Sequence, residues 1–346
     1  MKDLVKLTFY SAYLPTRLFA SLRVTILNIM IKNFKKLEEL LVKSAKEMGR
    51  GCSKVFVAVS GGVDSSLVAA ILCKAFGPKN VVGLYRNIKS NEKHKKDVDL
   101  LQKKLGFRLI YLGLNDIYDT LLERIKTQFA KNDLAWADEN GADAGRIGFT
   151  NAYASFKSRL TTPLAGFISK AIDNGNGRIF GTGNGEEDGL LRYFDKYGDG
   201  AVDNNILGGL TKAEVRQMAI HFGVPKQIVT KTPSADLEGT GDKHNDESQL
   251  TDWAKRMGYD IKISYGAVDG SQEGNIAWAW KEDLKSGVII GRNSELNRRQ
   301  LVKKYKNREK AETILFLRDI EKSTRHKVGP IPYAKRETLV KKKLVD

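Results

Sequence analysis

The residues best suited to do chemistry form one short run, Ser-Gly-Gly-Val-Asp-Ser, which begins at Ser60. Its two glycines leave room for backbone N–H groups to approach an anion, and its two serines add hydroxyl donors, which predicts a loop that binds the phosphates of a nucleoside triphosphate. The contacts would be made by Ser60, Gly61, Gly62 and Ser65. A carboxylate here would repel a polyphosphate unless a divalent cation lay between them, so we interpret Asp64 as a Mg²⁺ ligand. The alternative is a plain glycine-rich turn between a strand and a helix.

The elements that must position this loop are a strand before it and a helix after it. Five successive apolar residues at Val55–Val59 predict a strand that is covered on both faces. Apolar residues at helical spacing follow over Ser65–Phe76, and the positive end of that helix dipole points at the loop. The loop is therefore expected at the carboxyl end of a buried strand.

Strand and helix patterns continue to alternate along the chain. Strands are predicted at 81–85, 108–112 and 178–180, helices at 93–105, 117–129 and 152–172, and a polar loop at 131–150. This alternation predicts parallel βαβ crossovers, and hence an α/β fold with a doubly wound, mostly parallel sheet and helices on both faces. Ligands in such sheets bind at the carboxyl ends of the strands, where the loop lies.

The composition is that of a globular protein, with 346 residues of which 41% are hydrophobic and 29% charged. The cysteines Cys52 and Cys73 form neither a C-x-x-C pair nor a ligand cluster with the four histidines, so neither a disulfide framework nor a zinc site is indicated. No apolar run reaches the roughly 18 residues that a membrane helix needs. We expect a cytoplasmic protein without a membrane partner.

The net charge of +17 is concentrated near the C-terminus, where residues 292–346 carry 17 Lys or Arg against 7 Asp or Glu, a balance of +10. A solvated helix face with a basic terminus is the preferred explanation; affinity for nucleic acid and cations that hold anionic substrates are the others. Residues 1–29 mix aromatic residues with Lys and Arg and match no targeting pattern. We predict an N-terminal extension there, which need not be ordered, and a single domain with a basic tail over 30–346.

The loop resembles that of the N-type ATP pyrophosphatases, which cleave ATP between its α- and β-phosphates and adenylate a substrate. Further motifs follow in one order: Gly181-Thr-Gly-Asn-Gly-Glu-Glu187, Tyr193-Phe-Asp-Lys-Tyr-Gly-Asp-Gly-Ala-Val-Asp203, Lys231-Thr-Pro-Ser-Ala-Asp-Leu237 and Arg325-His-Lys-Val-Gly-Pro-Ile-Pro332. In order and approximate spacing this series is similar to the NAD synthetase family. The resemblance covers about residues 35–332, with a divergent stretch near 262–296.

The resemblance implies an activity. In the family, the nicotinate carboxylate of deamido-NAD attacks the α-phosphate of ATP, pyrophosphate leaves, and ammonia converts the adenylated intermediate to NAD and AMP. It also implies a homodimer and a fold like that of the adenine nucleotide alpha hydrolases. Glutamine-dependent members carry an amidase domain, for which the 59 residues before Ser60 are too few. We therefore expect direct use of ammonia. A separate partner glutaminase is the open alternative, although nothing in the sequence indicates one.

The resemblance also implies roles for single residues. Asp64 and Glu187 match the two Mg²⁺ ligands of the family, although Glu186 and Asp188 compete with Glu187. ATP contacts beyond the loop would come from Thr182, Lys212, Lys231 and Ser234. Deamido-NAD contacts would come from Arg159, Lys196, Asp203, His326 and Lys327. The residues predicted to be catalytic are Asp64, Lys196 and Lys212.

Some features depart from the family pattern or leave alternatives open. The interval from Glu187 to Lys196 is one residue longer than in the commonest form of the family. Trp278 and Trp280 lie in the divergent stretch, and they are either core residues or a lid over the dinucleotide. A tRNA-modifying adenylating enzyme of the same superfamily would use the basic tail to bind phosphates, but its thiolating members usually need catalytic cysteines. A non-catalytic nucleotide-binding protein is the third reading, and it would not require both metal carboxylates.

Overall fold

The computed structural model describes residues 31–134, 145–234, 245–268 and 272–328, with the backbone alone over 145–151. The N-terminal extension predicted at 1–29 and residues 329–346 of the basic segment 292–346 lie outside the described residues. The division into an extension and one domain therefore stays a prediction.

Within the described residues, five parallel strands form one sheet, and their order decides where the phosphate loop lies. The strands are β1 Val55–Ala58, β2 Val81–Asn87, β3 Arg108–Gly113, β4 Ile179–Gly181 and β5 Asn204–Asn205. Their order across the sheet is β3-β2-β1-β4-β5. The chain leaves β1 toward one edge and later returns to its other side, so the carboxyl ends of β1 and β4 flank a topological switch point, where such sheets bind ligands. The predicted doubly wound parallel sheet is confirmed.

The helices match the predicted alternation closely. Before β4 they are α1 Phe34–Met48, α2 Val63–Phe76, α3 Glu92–Leu105, α4 Asn115–Lys131 and α5 Gly145–Ala171. After β4 the chain forms a π-helical segment Gly185–Leu191 and then α6 Lys212–His221, α7 Lys226–Val229, α8 Asp246–Arg256, α9 Asn275–Ser286, α10 Arg298–Tyr305 and α11 Arg308–Val328. From β1 to α4, every predicted boundary is within two residues of the observed one. The loop predicted at 131–150 is wrong at its end, because α5 already begins at residue 145.

Both faces of β1 are buried, which explains its unbroken apolar sequence. Val55 and Val57 pack with apolar residues of α1, α2 and α6 on one face of the sheet. Phe56, which points to the opposite face, packs with Val82 of β2 and Ala165 of α5. Each of the three β1 side chains is 0% exposed. This double layer of helices fixes the end of β1, and with it the position of the phosphate loop.

A second apolar cluster is built by α8, α9, α10 and α11, and it reaches back to the π-helical segment through Leu190 and Leu191. The divergent stretch 262–296 belongs to this cluster through residues such as Ile276, which is fully buried. Trp278 and Trp280 pack against it as partly buried side chains, so they are placed as core residues. Among the described residues, no helix is both long and apolar enough to cross a membrane.

Candidate active site

The phosphate loop joins β1 to α2 in a conformation that requires glycine. Gly61 has a φ of +79°, and a Cβ atom there would lie 2.7 Å from the carbonyl oxygen of His94. The hydroxyl of Ser65 accepts a hydrogen bond from the Ser60 N–H at 3.2 Å. Gly62 caps α2 without a side-chain hydrogen bond, so the first N–H groups of the helix are left for an anion. The sequence-predicted loop residues are thus brought together around one N-terminus.

Asp64, in the first turn of α2, lies beside Glu187 of the π-helical segment, and a lysine joins them. The Lys212 ammonium is 2.7 Å from Asp64 Oδ2 and 2.7 Å from Glu187 Oε1. The Asn184 amide donates to the remaining oxygens, at 3.0 Å to Asp64 Oδ1 and 2.7 Å to Glu187 Oε2. The two carboxylates assigned to the metal are therefore held face to face, with one cation between them.

Two helix caps bring these side chains to the switch point. Asn184 directly precedes the π-helical segment, and its side-chain oxygen accepts from the Glu186 and Glu187 N–H groups, both at 3.0 Å. Thr211 caps α6 in a capping box with Glu214 as its partner, which makes Lys212 the first residue of the helix. Sequence reasoning missed Asn184, although an asparagine between glycines after a strand is a typical cap signal.

Gly185–Leu191 forms a π-helical segment, in which backbone hydrogen bonds join residues five apart rather than four apart as in an α-helix. It also separates the three neighbouring acids. Glu186 is fully buried and accepts from the Lys212 N–H at 2.9 Å, while Asp188 accepts from the Asn205 amide at 3.0 Å. Only Glu187 of the three hydrogen-bonds to the ammonium that also binds Asp64, so the geometry favours the predicted choice.

The second apolar cluster packs against the π-helical segment Gly185–Leu191. A Cβ atom at Gly185 would lie 2.1 Å from the Trp280 ring, so α9 packs directly against the backbone that carries Glu187. Leu191, at the other end of the segment, is fully buried in the same cluster. Residues of the divergent stretch 262–296 therefore pack against the backbone that carries Glu187.

Burial shifts the pKa values of the acids in this site. It raises the pKa of Glu186 to about 8 and that of Glu187 to about 7. Burial alone would lower the pKa of Lys212, but the adjacent carboxylates of Asp64 and Glu187 outweigh it and raise the value. Lys212 therefore stays charged at any physiological pH, and the site is built to hold positive charge between two acids.

The other residues predicted to bind ATP are Thr182, Lys231 and Ser234. Thr182 is half-buried and follows β4 directly, and Ser234 is half-buried before a gap in the described chain. The Lys231 ammonium is 2.9 Å from Asp97 Oδ2 and 2.9 Å from His94 Nδ1. The roles of these three residues in ATP binding stay predictions.

The cationic residues assigned to deamido-NAD gather where α5, the turn at 192–196 and the end of α11 meet. Arg159 Nη2 is 3.0 Å from Asp195 Oδ1, and Lys196 donates to the carbonyl oxygen of His326 at 2.8 Å. Lys327 donates to the carbonyl oxygens of residues 192 and 194 at 2.9 and 2.6 Å, and burial lowers its pKa. Four predicted residues thus meet on this side of the site.

Asp203 is placed differently from these four. Its carboxylate accepts from the Ile179 N–H at 2.7 Å, at the amino end of β4, whereas the phosphate loop lies at the carboxyl end of β1. This hydrogen bond gives Asp203 a structural function in pairing β4 with β5. Its contact with the dinucleotide stays a prediction.

The parallel sheet, with a phosphate loop and paired carboxylates at its switch point, defines the chain as an α/β protein that binds nucleotide phosphates. Comparison with known proteins narrows this class. The sequence model for NAD synthase matches residues 33–260, more than half of the chain, and the chain belongs to that family.

Two relatives and two solved structures illustrate the similarity. The NH₃-dependent NAD⁺ synthetase of Finegoldia magna is 34% identical over 215 residues, which cover 61% of this chain and 79% of the relative. That of Methanococcoides burtonii is 32% identical over 245 residues, with 69% and 79% covered. In fold, the chain is similar to the NH₃-dependent NAD synthetase of Campylobacter jejuni (TM-score 0.57, 18% identity, 88% and 100% covered). It is also similar to the NMN synthetase of Francisella tularensis (TM-score 0.59, 20% identity, 88% and 99% covered).

Replacing Lys212 with methionine should lower the free energy of unfolding by about 3–5 kcal/mol, because two largely buried carboxylates lose their shared counter-charge. Without the ammonium the pKa of Glu187 rises further, so the folded variant holds a proton that the unfolded chain has released. Its stability then falls more steeply than that of the unaltered protein as the pH increases. Urea unfolding at pH 5.5 and pH 8 measures both effects.

A matched control is Lys281→Met, which removes an exposed ammonium paired with Glu273. It should change the free energy of unfolding by no more than about 0.5 kcal/mol at either pH. An equal loss at both pH values for Lys212→Met would contradict the electrostatic explanation.

Proposed function

We infer that this chain is an ammonia-dependent NAD synthetase, a ligase that converts deamido-NAD to NAD with ATP and ammonia and releases AMP and pyrophosphate. The observation that carries this function is the Asp64–Lys212–Glu187 cluster beside a phosphate loop, in a chain that belongs to the NAD synthase family. Curated relatives that share about a third of its residues are NH₃-dependent NAD⁺ synthetases. ATP is therefore a substrate of this site.

The first half-reaction adenylates the nicotinate carboxylate. A carboxylate oxygen attacks the α-phosphorus of ATP, and the bond from that phosphorus to the oxygen bridging to the β-phosphate breaks, so that pyrophosphate leaves. We propose that the loop residues Ser60 to Ser65 bind the polyphosphate through backbone N–H groups at the start of α2. The Lys212 ammonium, which stays charged, neutralises negative charge that builds up on the phosphates.

The second half-reaction forms the amide. Ammonia attacks the carbonyl carbon of the adenylate, AMP leaves, and the nitrogen loses a proton. We propose that Arg159, Lys196 and Lys327 bind the anionic dinucleotide, with the C-terminal end of α11 completing this side of the site. Their support is the meeting of three cationic side chains around the turn at 192–196.

We propose Mg²⁺ as the metal of this site, with Asp64 and Glu187 as its protein ligands. The donors fit, because Mg²⁺ commonly binds one or two carboxylates and takes its other ligands from substrate phosphates and water. An ammonium already bridges the two carboxylates at 2.7 Å, so this pair of side chains accepts a cation between them. The described residues hold no group of three or more His, Cys, Asp or Glu side chains that would form a complete protein cage. When bound, the ion would neutralise phosphate charge during adenylation.

We further propose a cytoplasmic homodimer. Support for the dimer comes from two exposed aromatic side chains: Phe167 of α5, which is 75% exposed, and Tyr197, which is 52% exposed and whose carbonyl accepts a hydrogen bond from Thr162 of α5. Phe167→Asp should shift the protein from dimer to monomer in analytical ultracentrifugation, because it places a charge on this surface. A monomeric unaltered protein would contradict the proposal. Both cysteines are free thiols, as in a reducing compartment.

The function is tested directly with purified protein. With ATP, Mg²⁺, deamido-NAD and ammonia it should form NAD, AMP and pyrophosphate in equal amounts. The mononucleotide counterpart of deamido-NAD, supplied alone, tests NMN formation by the same site. Formation of ADP, or of no amide with either substrate, would contradict the function. Binding of tRNA that persists at high salt would instead favour the tRNA-modifying alternative.

Asp64→Asn tests the metal assignment, since it removes a charge without changing the volume of the side chain. We expect turnover to fall by about 10²–10³-fold, the scale on which loss of one preorganised electrostatic contact acts, with partial recovery at high Mg²⁺. Asp119→Asn is the control, because Asp119 is an exposed partner of Lys89 on the protein surface. Near-normal activity of Asp64→Asn, with a circular dichroism spectrum unchanged, would show that the assignment is wrong.

A further inference from the structure

The beginning of α3 packs directly against the phosphate loop. A Cβ atom at Gly61 would lie 2.7 Å from the carbonyl oxygen of His94, 3.3 Å from its Cα and 3.4 Å from the Cβ of Asp97. The backbone of the loop and the first two turns of α3 are therefore in van der Waals contact. Side chains at these positions of α3 therefore lie next to the loop that we propose to bind the phosphates of ATP.

Asp97 is an acid with both carboxylate oxygens already in use. It is 8% exposed, and its Oδ2 accepts from the Lys231 ammonium at 2.9 Å. Its Oδ1 accepts from the side-chain amide of Gln227, in α7, at 2.8 Å. Asp97 therefore joins Lys231 to α7, whereas Asp64 pairs with Lys212 and Asn184 at the carboxylate site.

Lys231 is held by two side chains on one face of α3. Besides Asp97, its ammonium lies 2.9 Å from His94 Nδ1, so two of its three N–H donors point to neighbours on one helix. A free lysine side chain would lose about 2 kcal/mol of rotamer entropy when it orders on a ligand. Here that ordering is complete before ATP arrives, which favours binding to a defined position.

The charges also require such a pair. An isolated carboxylate next to a polyphosphate would repel it, and an isolated buried ammonium would be poorly solvated. Paired with Lys231, Asp97 adds no net negative charge beside the loop, and it gives the ammonium a counter-charge in a site that is mostly shielded from water. The side chain of Lys231 is only 20% exposed.

We propose that Asp97 is a positioning residue, which holds the Lys231 ammonium beside the Ser60–Ser65 loop so that it binds the phosphates of ATP that leave as pyrophosphate. Gln227 orients the carboxylate, and His94 limits the sideways movement of the ammonium. This role rests on the proposed function, because it requires the polyphosphate of ATP to bind at the loop. Asp97 itself touches neither substrate.

The first test is the kinetic effect of Asp97→Asn, which keeps the shape of the side chain and removes its charge. The KM for ATP should rise about fivefold and the inhibition constant of pyrophosphate should rise by a similar factor. The KM for deamido-NAD should stay within about twofold of its original value. Lys231→Met, which removes the ammonium itself, should raise the KM for ATP about tenfold or more.

A double-mutant cycle separates positioning from a general effect on the fold. If Asp97 acts through Lys231, then Asp97→Asn added to Lys231→Met should change the KM for ATP by less than about twofold further. The matched control is Asp99→Asn, on the same helix, whose partner is the exposed Lys95. It should leave the KM for ATP and the pyrophosphate inhibition unchanged.

Gln227→Ala provides a second test of the positioning role if Asp97→Asn does not fold. Gln227 is exposed, so its loss should leave the fold intact, and it should raise the KM for ATP about twofold in the same direction. Additive effects of the Asp97 and Lys231 changes, or an unaltered KM for ATP in Asp97→Asn, would overturn the positioning role.

Calorimetric measurement of ATP binding distinguishes failure of the positioning role from failure of the proposed function. If the unaltered protein forms NAD but the variants bind ATP equally well, only the positioning role fails. If the unaltered protein binds ATP without forming NAD, the proposed function fails, while weaker ATP binding by Asp97→Asn still supports the positioning role.

Discussion

The interaction on which the site depends is the buried ion cluster of Lys212 with Asp64 and Glu187. These three side chains come from α6, α2 and the π-helical segment, so a single ammonium joins three elements that are far apart in the chain. Buried charges are tolerated only when they are paired and hydrogen-bonded, and here each carboxylate has Lys212 on one oxygen and Asn184 on the other. Moving any one element would leave an unpaired buried charge, which gives this arrangement a defined geometry.

The helices around the cluster are arranged to keep that geometry in place. One apolar cluster covers the sheet and fixes the end of β1, while the second, built by α8 to α11, packs through Trp280 against the backbone of Gly185. The turn at 192–196 then leads directly from the carboxylate site to the cationic residues at the end of α11. The carboxylate site and the cationic residues are therefore connected by one short piece of chain, which the second cluster supports.

Local patterns predicted most of the fold correctly. The apolar strand β1, the glycine-rich turn and the capping box at Thr211 are each determined by neighbouring residues, so they can be recognised before any tertiary contact is known. The start of α5 at residue 145 was not recognised, because its glycines and polar residues are typical of loops and their helical state depends on the surrounding fold. Asp97 was also missed, since an acid within a charged helix such as α3 has nothing in its own sequence context to mark it as buried.

The sequence by itself determined the class of chemistry, because only small residues can form the phosphate loop and because the loop, the two carboxylates and the basic motifs occur in one recognisable order. It could not decide which acid after β4 faces Asp64, or what holds Lys231. Those answers depend on the π-helical turn that directs Glu187 toward α2 and Glu186 into the interior, and on the packing of α3 against Gly61. Both are contacts between residues distant in the chain, and their energies are set by burial and by charge pairing that exist only once the protein has folded.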